Sequence, residues 1–469
     1  MFGHRLGPSV APCDPEPVSR PPEAHAPAAR ALLAPFVAAA VFAFASSAAA
    51  QASGNSYYVD PSGSDSNPCT SSEPCKTIAH MGADRNPVVS PGDTVFLRPG
   101  TYGAEGTGSS ACSSTGVGVT CLKVSGTATA AITYTGIQGE AKPTLLGRYK
   151  ITGANVRISR VLVDGPSGDV ANRSSACGEN ALVDMDANNE RIDHSEIRDS
   201  EGNAGIFTSG SASGLSIDHN WIHDNGGFDN PSGRCAVYGD QENSGQYSCC
   251  NNGQHGVYFR NGSGTIEDNV IEHNWARGLQ LYPAAGCVSP CGASAGVQVK
   301  HNTVIWNGKA GLQTNTTNSG NVFANNIVAG NAWRGGQYGL DYVGGTQPTV
   351  TTNQVYANSR TAPPSASGTQ YNIDPQLTAC SGCVTADPMF ANGISVTSSV
   401  SGPGGSTRPL AIDRRWTPSE AIEMFPLSQA TSAADPSYGP TDSTDYADVA
   451  RTPPFDIGAF EYACFLVVC

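Results

Sequence analysis

Between residues 156 and 358 one short pattern recurs: an aliphatic residue, Asn or Ser three places on, a second aliphatic two further, and often Asn or Asp three beyond that. Seven copies align, beginning at Val156, Ile192, Ile217, Ile266, Val299, Val322 and Val350. The copy at Ile266 runs through Asn269, Ile271 and Asn274; that at Val156 is read with Ser159 and Val161, and that at Val322 with Asn325 and Ile327. A second motif stands ahead of most copies, a glycine followed by alternating residues: Gly205-Ile206-Phe207, Gly256-Val257-Tyr258, Gly278-Leu279-Gln280, Gly311-Leu312-Gln313 and Gly339-Leu340-Asp341. Each unit therefore holds two or three very short strands.

The copies are spaced by 36, 25, 49, 33, 23 and 28 residues, a basic turn with loops inserted into some units. A unit this small cannot bury its own apolar face, so successive units must stack and share one core. Alternation within each strand sends one aliphatic set inward, while the repeated Asn suits tight corners and can bond to its equivalent one layer away. The pattern predicts an all-β parallel solenoid. It lacks the paired helices of helical arrays, and its shortest spacings are too small for propeller blades.

The segments around this core carry a resemblance. Tyr57-Tyr58-Val59-Asp60-Pro61, Lys76-Thr77-Ile78 and Pro91-Gly92-Asp93-Thr94-Val95-Phe96-Leu97, followed near the other end by Ala386-Asp387-Pro388-Met389-Phe390 and Asp456-Ile457-Gly458-Ala459-Phe460-Glu461-Tyr462, are present. These resemble the first and closing segments of secreted bacterial right-handed parallel β-helix proteins of the pectate-lyase-like superfamily. The resemblance implies a right-handed parallel β-helix with an N-terminal cap and an irregular C-terminal capping segment. On this reading residues 1–50 are a signal peptide, 51–103 the cap and first coil, 104–360 the helix repeats and 361–469 the capping segment. A short helix near Lys76–Met81 would close one end and the C-terminal stretch would wrap the other.

Composition narrows the function. Charged residues make up 14% of the chain and the net charge is −14, so phosphate is repelled and no nucleic-acid partner is expected. The apolar stretch Ala31–Ala52 follows Arg20 and Arg30 and ends in small residues, the form of a secretory signal cleaved near Ala50; no other stretch would leave a stable membrane span. Cleavage removes Cys13 and leaves fourteen cysteines, several as near neighbours: Cys69/Cys75, Cys112/Cys121, Cys287/Cys291, Cys380/Cys383 and Cys464/Cys469. Disulfides in an exported, extracellular monomer follow; zinc on Cys287, Cys291, Cys380 and Cys383 is the lesser alternative.

Stacked strands place equivalent side chains in columns about 4.8 Å apart. Alternation after each glycine predicts an outward row of Phe207 and Ser209, Tyr258 and Arg260, Gln280 and Tyr282, Gln313 and Asn315, with His255, Arg277 and Lys309 in the turns beside it. Residues 254–310 hold four Lys or Arg against three Asp or Glu, a local excess of positive charge in an acidic chain. Rings interleaved with cations suit an acidic sugar chain, the rings packing on sugar faces and guanidinium pairing with carboxylate. Uronate β-elimination needs a cation to neutralise the carboxylate and a base to take the neighbouring proton.

The candidate catalytic residues are accordingly His255, Arg260, Arg277 and Lys309, and the candidate substrate-binding residues Tyr258, Gln280, Tyr282, Gln313 and Asn315. The resemblance implies Lys or Arg as base and calcium as an assisting cation; Asp229, Asp240 and Glu242, in an insertion flanking the row, are its candidate ligands. The Asp60–Asn67 loop reads as an Asx-type turn rather than a calcium loop. His194, His219, Asp268 and His301 share one repeat position and read as exposed corner residues, with a transition-metal pair at His194 and His219 as the alternative. The expected activity is polysaccharide lyase-like. A non-catalytic glycan-binding or adhesion solenoid, a C5-epimerase and a polygalacturonase-like hydrolase using Asp184 and Asp186 are the competing readings.

Overall fold

The computed structural model describes residues 54–82, 88–103, 119–165, 181–200, 202–208, 212–226, 254–283, 294–333, 336–359, 371–377, 380–388, 390, 399–401, 407–409 and, from the C-terminal stretch, 434, 436–441, 443–448, 450–451 and 456–460. The leader and most insertion cysteines lie outside them. Among the described residues no helix is long and apolar enough to cross a membrane.

Nearly every element is a short strand, and the strands form three parallel sheets of ten, nine and eight members. The chain visits the sheets in rotation. One rung consists of Leu215–Asp218 in the first sheet, Trp221–His223 in the second and His255–Phe259 in the third; the next begins at Gly264–Glu267. This is the parallel solenoid that the repeats predict, in the right-handed β-helix form that the resemblance implies.

The core is a set of aliphatic columns, one layer per rung. Ile192, Ile217, Ile266, Val299, Phe323 and Val350 pair in register along the first sheet. Ile197, Ile222, Ile271, Val304, Val328 and Val355 do so along the second. The register corrects two of the seven copies. Phe323 stands where an aliphatic leader was expected at Val322, so the ladder residue is Asn326, second of the Asn325-Asn326 doublet. Ile158 pairs with Ile192 where Val156 was expected, and Val161 takes the asparagine's place, its N–H donating to Ser195 Oγ at 3.2 Å.

Two buried amide ladders fix the corners. Between the first and second sheets, His194, His219, Asp268, His301, Asn325 and Thr352 all take left-handed backbone, with φ between 49° and 57°. That conformation turns the next residue inward, stacking Asn220, Asn269, Asn302, Asn326 and Asn353. Asn302 is representative. Its Nδ2 donates to the Ile266 and Lys300 carbonyls and to Asn326 Oδ1, at 2.8 to 3.0 Å, and its backbone N–H donates to the same oxygen. Among the amino acids, asparagine combines an acceptor and two donors at this reach.

The second ladder, Asn225, Asn274, Asn307, Asn331 and Asn358, explains the recurring glycine. A Cβ on Gly256, Gly278 or Gly311 would come within 2.7 to 2.8 Å of an Asn Nδ2. The glycine at the start of the later third-sheet strands, from Gly205 to Gly339, is thus demanded by the amide one corner earlier, which is why the two sequence motifs recur together.

The ends are covered as well. A five-residue helix, Ile78–Gly82, buries Ile78 and Met81, and its Gly82 carbonyl accepts from Lys123 beside the edge strand Val119–Leu122. At the other end Ile373, Ser381 and Val384 bridge the last rung. These residues of the C-terminal stretch cover that end as expected. The stretch's described residues from 436 to 460 lie along the side, from the His194 rung to the Asn325 rung, where Ile457 and Phe460 pack with Trp221, Val270, Trp306 and Ile327 on the outside of the second sheet. Of the expected cysteine pairs, Cys69–Cys75 and Cys380–Cys383 form disulfides, so the latter two are not zinc ligands.

Candidate functional site

The outer face of the third sheet is a table of columns. The central one reads Lys150, Asp184, Phe207, Tyr258, Gln280, Gln313 and Asp341, one residue per rung. Beside it run Ala181, Ala204 and His255, with Arg277 one rung beyond: its backbone N–H donates to His255 Nδ1 at 3.3 Å. On the other side, two residues after the central column, are Arg260, Tyr282 and Asn315. Lys309 sits in the turn of the following rung, its N–H bonded to the Ala276 carbonyl. The structure therefore gathers eight of the nine predicted row residues on neighbouring rungs of one face, with Lys309 in a turn beside it. The predicted metal ligands Asp229, Asp240 and Glu242 lie outside the described residues, as does Ser209.

Burial divides the row. Tyr258, Arg260, Tyr282, Lys309 and Asn315 are partly exposed, whereas His255, Arg277, Gln280 and Gln313 are buried. Gln313 has no exposed surface, so the expectation that it touches substrate directly is corrected: its amide is spent within the face. Gln280 Nε2 donates to Gln313 Oε1 at 2.7 Å, and Gln313 Nε2 donates to Asp341 Oδ2 at 2.6 Å.

The rings make a small aromatic floor. Phe207 meets Tyr258 edge-on at 5.3 Å, His255 meets Tyr258 likewise at 5.5 Å, and the Arg260 guanidinium lies 5.8 Å from the Phe207 centroid. Burial pushes the Tyr258 hydroxyl up to about 12, so it stays protonated at neutral pH. Burial also brings the Arg277 guanidinium down to about 10, against the pull of Asp341, Tyr282 and Tyr258. Because the Arg277 N–H donates to His255 Nδ1, the neutral ring carries its proton on Nε2. His255 Nδ1 is thereby taken up as an acceptor.

At one end of the column sequence reasoning named Asp184 and Asp186 but missed Lys150. Lys150 Nζ lies 3.2 Å from Asp184 Oδ2 and 2.6 Å from Asp186 Oδ2. Burial first, and then the Asp186 charge, push the Asp184 carboxyl up to about 6. Lys150 belongs to a strand that no Gly-Asn motif announces. Asp341 was in view as the fifth glycine-led strand, yet only the register shows that it shares the column.

The histidine column differs from its expected exposed form. His219, Asp268 and His301 are buried under the C-terminal stretch. His194 and His219 stack at 4.7 Å, but each turns Nδ1 to the preceding aspartate, and His194 Nε2 faces Asp448 at 3.2 Å. Among the described residues the single group of clustered metal-ligating side chains is Cys69, Cys75 and His80, whose cysteines form a disulfide. The Asp60–Asn67 loop is the expected Asx-type turn, Asp60 Oδ1 accepting from the Ser62 N–H at 2.8 Å.

The profile of the family described as "right handed beta helix region" matches residues 110–355 and 248–401, together more than half of the chain. The chain belongs to this right-handed β-helix family. No curated protein matches it. Among solved structures, a rhamnogalacturonan lyase is 17% identical with a TM-score of 0.40, over 72% of this chain and 91% of its own. A lacto-N-biosidase from Eubacterium ramulus is 10% identical with a TM-score of 0.38, over 71% and 68%. A pectate lyase is 15% identical with a TM-score of 0.36, over 87% and 96%.

Proposed function

We propose that this β-helix protein is a secreted, monomeric polysaccharide lyase that cleaves an acidic glycan by β-elimination on the outer face of the third sheet. The observation that carries the reading is the placement of Arg260 and Arg277 on adjacent rungs among Phe207, Tyr258 and Tyr282. Arg277, already desolvated, pairs its fork with the uronate carboxylate and so acidifies the neighbouring C–H. A base removes that proton, the electron pair forms the ring double bond, and the glycosidic oxygen departs. Tyr258, still protonated, supplies a proton to the leaving oxygen.

The base is drawn from Lys309 and Arg260, which flank Arg277; Lys309 is the better acceptor because an ammonium yields its proton more readily than a guanidinium. The two disulfides support an oxidising, extracellular setting. Calcium would act as a second neutralising cation; the candidate ligands Asp229, Asp240 and Glu242 await test.

The experiment is an assay of ultraviolet-absorbing unsaturated uronate on pectate, alginate and glycosaminoglycan panels, with and without chelator. The wild type generates the signal, and Arg260→Ala and His255→Ala lose it while remaining folded. Binding without any such signal would replace the lyase by a glycan-binding or adhesion solenoid. A second reading rests on the Asp184–Asp186 pair: hydrolysis would release reducing ends without the ultraviolet signal, and would fail in Asp184→Asn. C5-epimerisation would change the sugar composition with neither product.

A further inference from the structure

The polar groups at one end of the central column form a hydrogen-bond relay with a fixed direction. Asp341 closes it. Its Oδ1 accepts from the Tyr338 N–H at 3.2 Å and its Oδ2 from Gln313 Nε2 at 2.6 Å. Gln313, with no exposed surface, turns its Oε1 the other way and accepts from Gln280 Nε2 at 2.7 Å. Gln280 keeps 5% of its surface exposed, and its own Oε1 accepts no bond from a described residue. Tyr258, its partner one rung back, turns its hydroxyl to the Pro283 carbonyl, 3.5 Å away.

An amide by itself can lie either way round, because it holds an acceptor and donors at one fork. An ionised carboxylate has no such choice: it only accepts. Burial pushes the Asp341 carboxyl up, while its two donors and the Arg277 charge draw it down. As a carboxylate, Asp341 obliges Gln313 to give its N–H toward that end of the column and its carbonyl toward the other, and Gln313 obliges Gln280 to do the same. The reachable end of the relay is therefore an oxygen, on the rung that also carries Arg277. We propose that Asp341 is a positioning residue that fixes Gln280 Oε1 as the acceptor for a free ring hydroxyl of the sugar whose carboxylate rests on Arg277, an inference that rests on the proposed use of this face. A substituent that cannot donate would leave that oxygen unpaired on a largely desolvated surface.

The test reads binding, independently of turnover. Equilibrium affinities are measured for oligogalacturonate and oligomannuronate, and for the same oligomers with the hydroxyl on the second or the third ring carbon replaced by fluorine, which is close to hydroxyl in size and cannot donate. At one of the two positions the replacement should weaken binding to the wild type about tenfold or more. Asp341→Asn lets the relay run in either direction and should bring that ratio down to about threefold or less. Gln313→Met cuts the relay while keeping the Asp341 charge and should act likewise; Asp341→Asn, nearly the same shape as the native residue, decides alone if Gln313→Met does not fold. A general change in charge or stability moves both ligands together and leaves the ratio where it was. No loss on fluorination at either position, or a ratio unaltered in Asp341→Asn, overturns the inference and leaves the lyase reading intact. A ratio that collapses as expected on oligomers that never yield unsaturated product sustains the inference and removes the lyase. Failure of the wild type to bind any of these uronates overturns the inference.

Discussion

Two parts of this coil use one device and end differently. At the corner between the first and second sheets, and on the outer face of the third, the repeat presents a polar residue on every rung. At the corner the C-terminal stretch closes over the column. Arg451 Nη2 donates to Asp268 with both side chains wholly buried, Lys300 Nζ donates to the Gly439 carbonyl at 2.6 Å, and His301 Nε2 meets the Tyr438 carbonyl at 3.1 Å. On the third sheet the described residues leave Tyr258, Arg260, Tyr282, Lys309 and Asn315 partly exposed over buried Arg277 and Gln280. A column of histidines or carboxylates is thus no sign of a site in itself. What separates structure from function is whether another part of the chain supplies its partners.

The sharpest way to break that contrast is to remove a partner at the closed corner. Burial pushes the Asp268 carboxyl up to about 8, so Arg451→Ala leaves a buried acid without its donor and should cost about 1–3 kcal/mol in denaturant unfolding, with turnover per folded molecule unchanged. Activity loss exceeding stability loss would mean that the corner is not merely structural. On the open face the expected pattern is reversed. Arg277→Ala should lower turnover by about 10²–10³, and Arg277→Lys should restore only part of it, because a point charge lacks the fork. Full activity in Arg277→Ala would place the chemistry elsewhere.

The ladder offers a reference belonging to neither region. Asn302→Ala removes three side-chain donations and the acceptor for the Asn269 amide, and should destabilise by about 2–4 kcal/mol with no change in substrate affinity. The smallest effect is a pH slope. Burial, with Arg451 and Lys300 nearby, takes His301 from 6.5 down to about 3, so the fold holds the ring neutral. Its contribution is intact above pH 6.5 and is lost as pH falls below that value, by about 1.4 kcal/mol for the first full unit. His301→Gln should flatten this part of the acid-unfolding profile; an unchanged slope would show that the ring is not held neutral.

Most of the fold was legible because the coil repeats: the Asn at each corner and the glycine after it are local demands, and both stand in the sequence with regular spacing. The register failed where one residue could play two parts, as at Val322-Phe323 and Asn325-Asn326. The row on the third sheet was legible for the same reason, since alternation after a glycine fixes which side chains share a face. Burial was not. Gln313 and the histidine corner are covered by contacts from other rungs and from the C-terminal stretch, and no local pattern announces that the described residues between 436 and 460 return to lie over His301 and Asp268. Lys150 escaped because its strand carries neither motif.

The central claim, that the outer face of the third sheet receives the glycan, is tested most directly by a crystal structure of Arg260→Ala with a uronate-containing oligosaccharide. The account predicts sugar rings lying along the column from Phe207 to Asp341, with a carboxylate on Arg277. An oligosaccharide bound elsewhere on the coil, with this face empty, would contradict it.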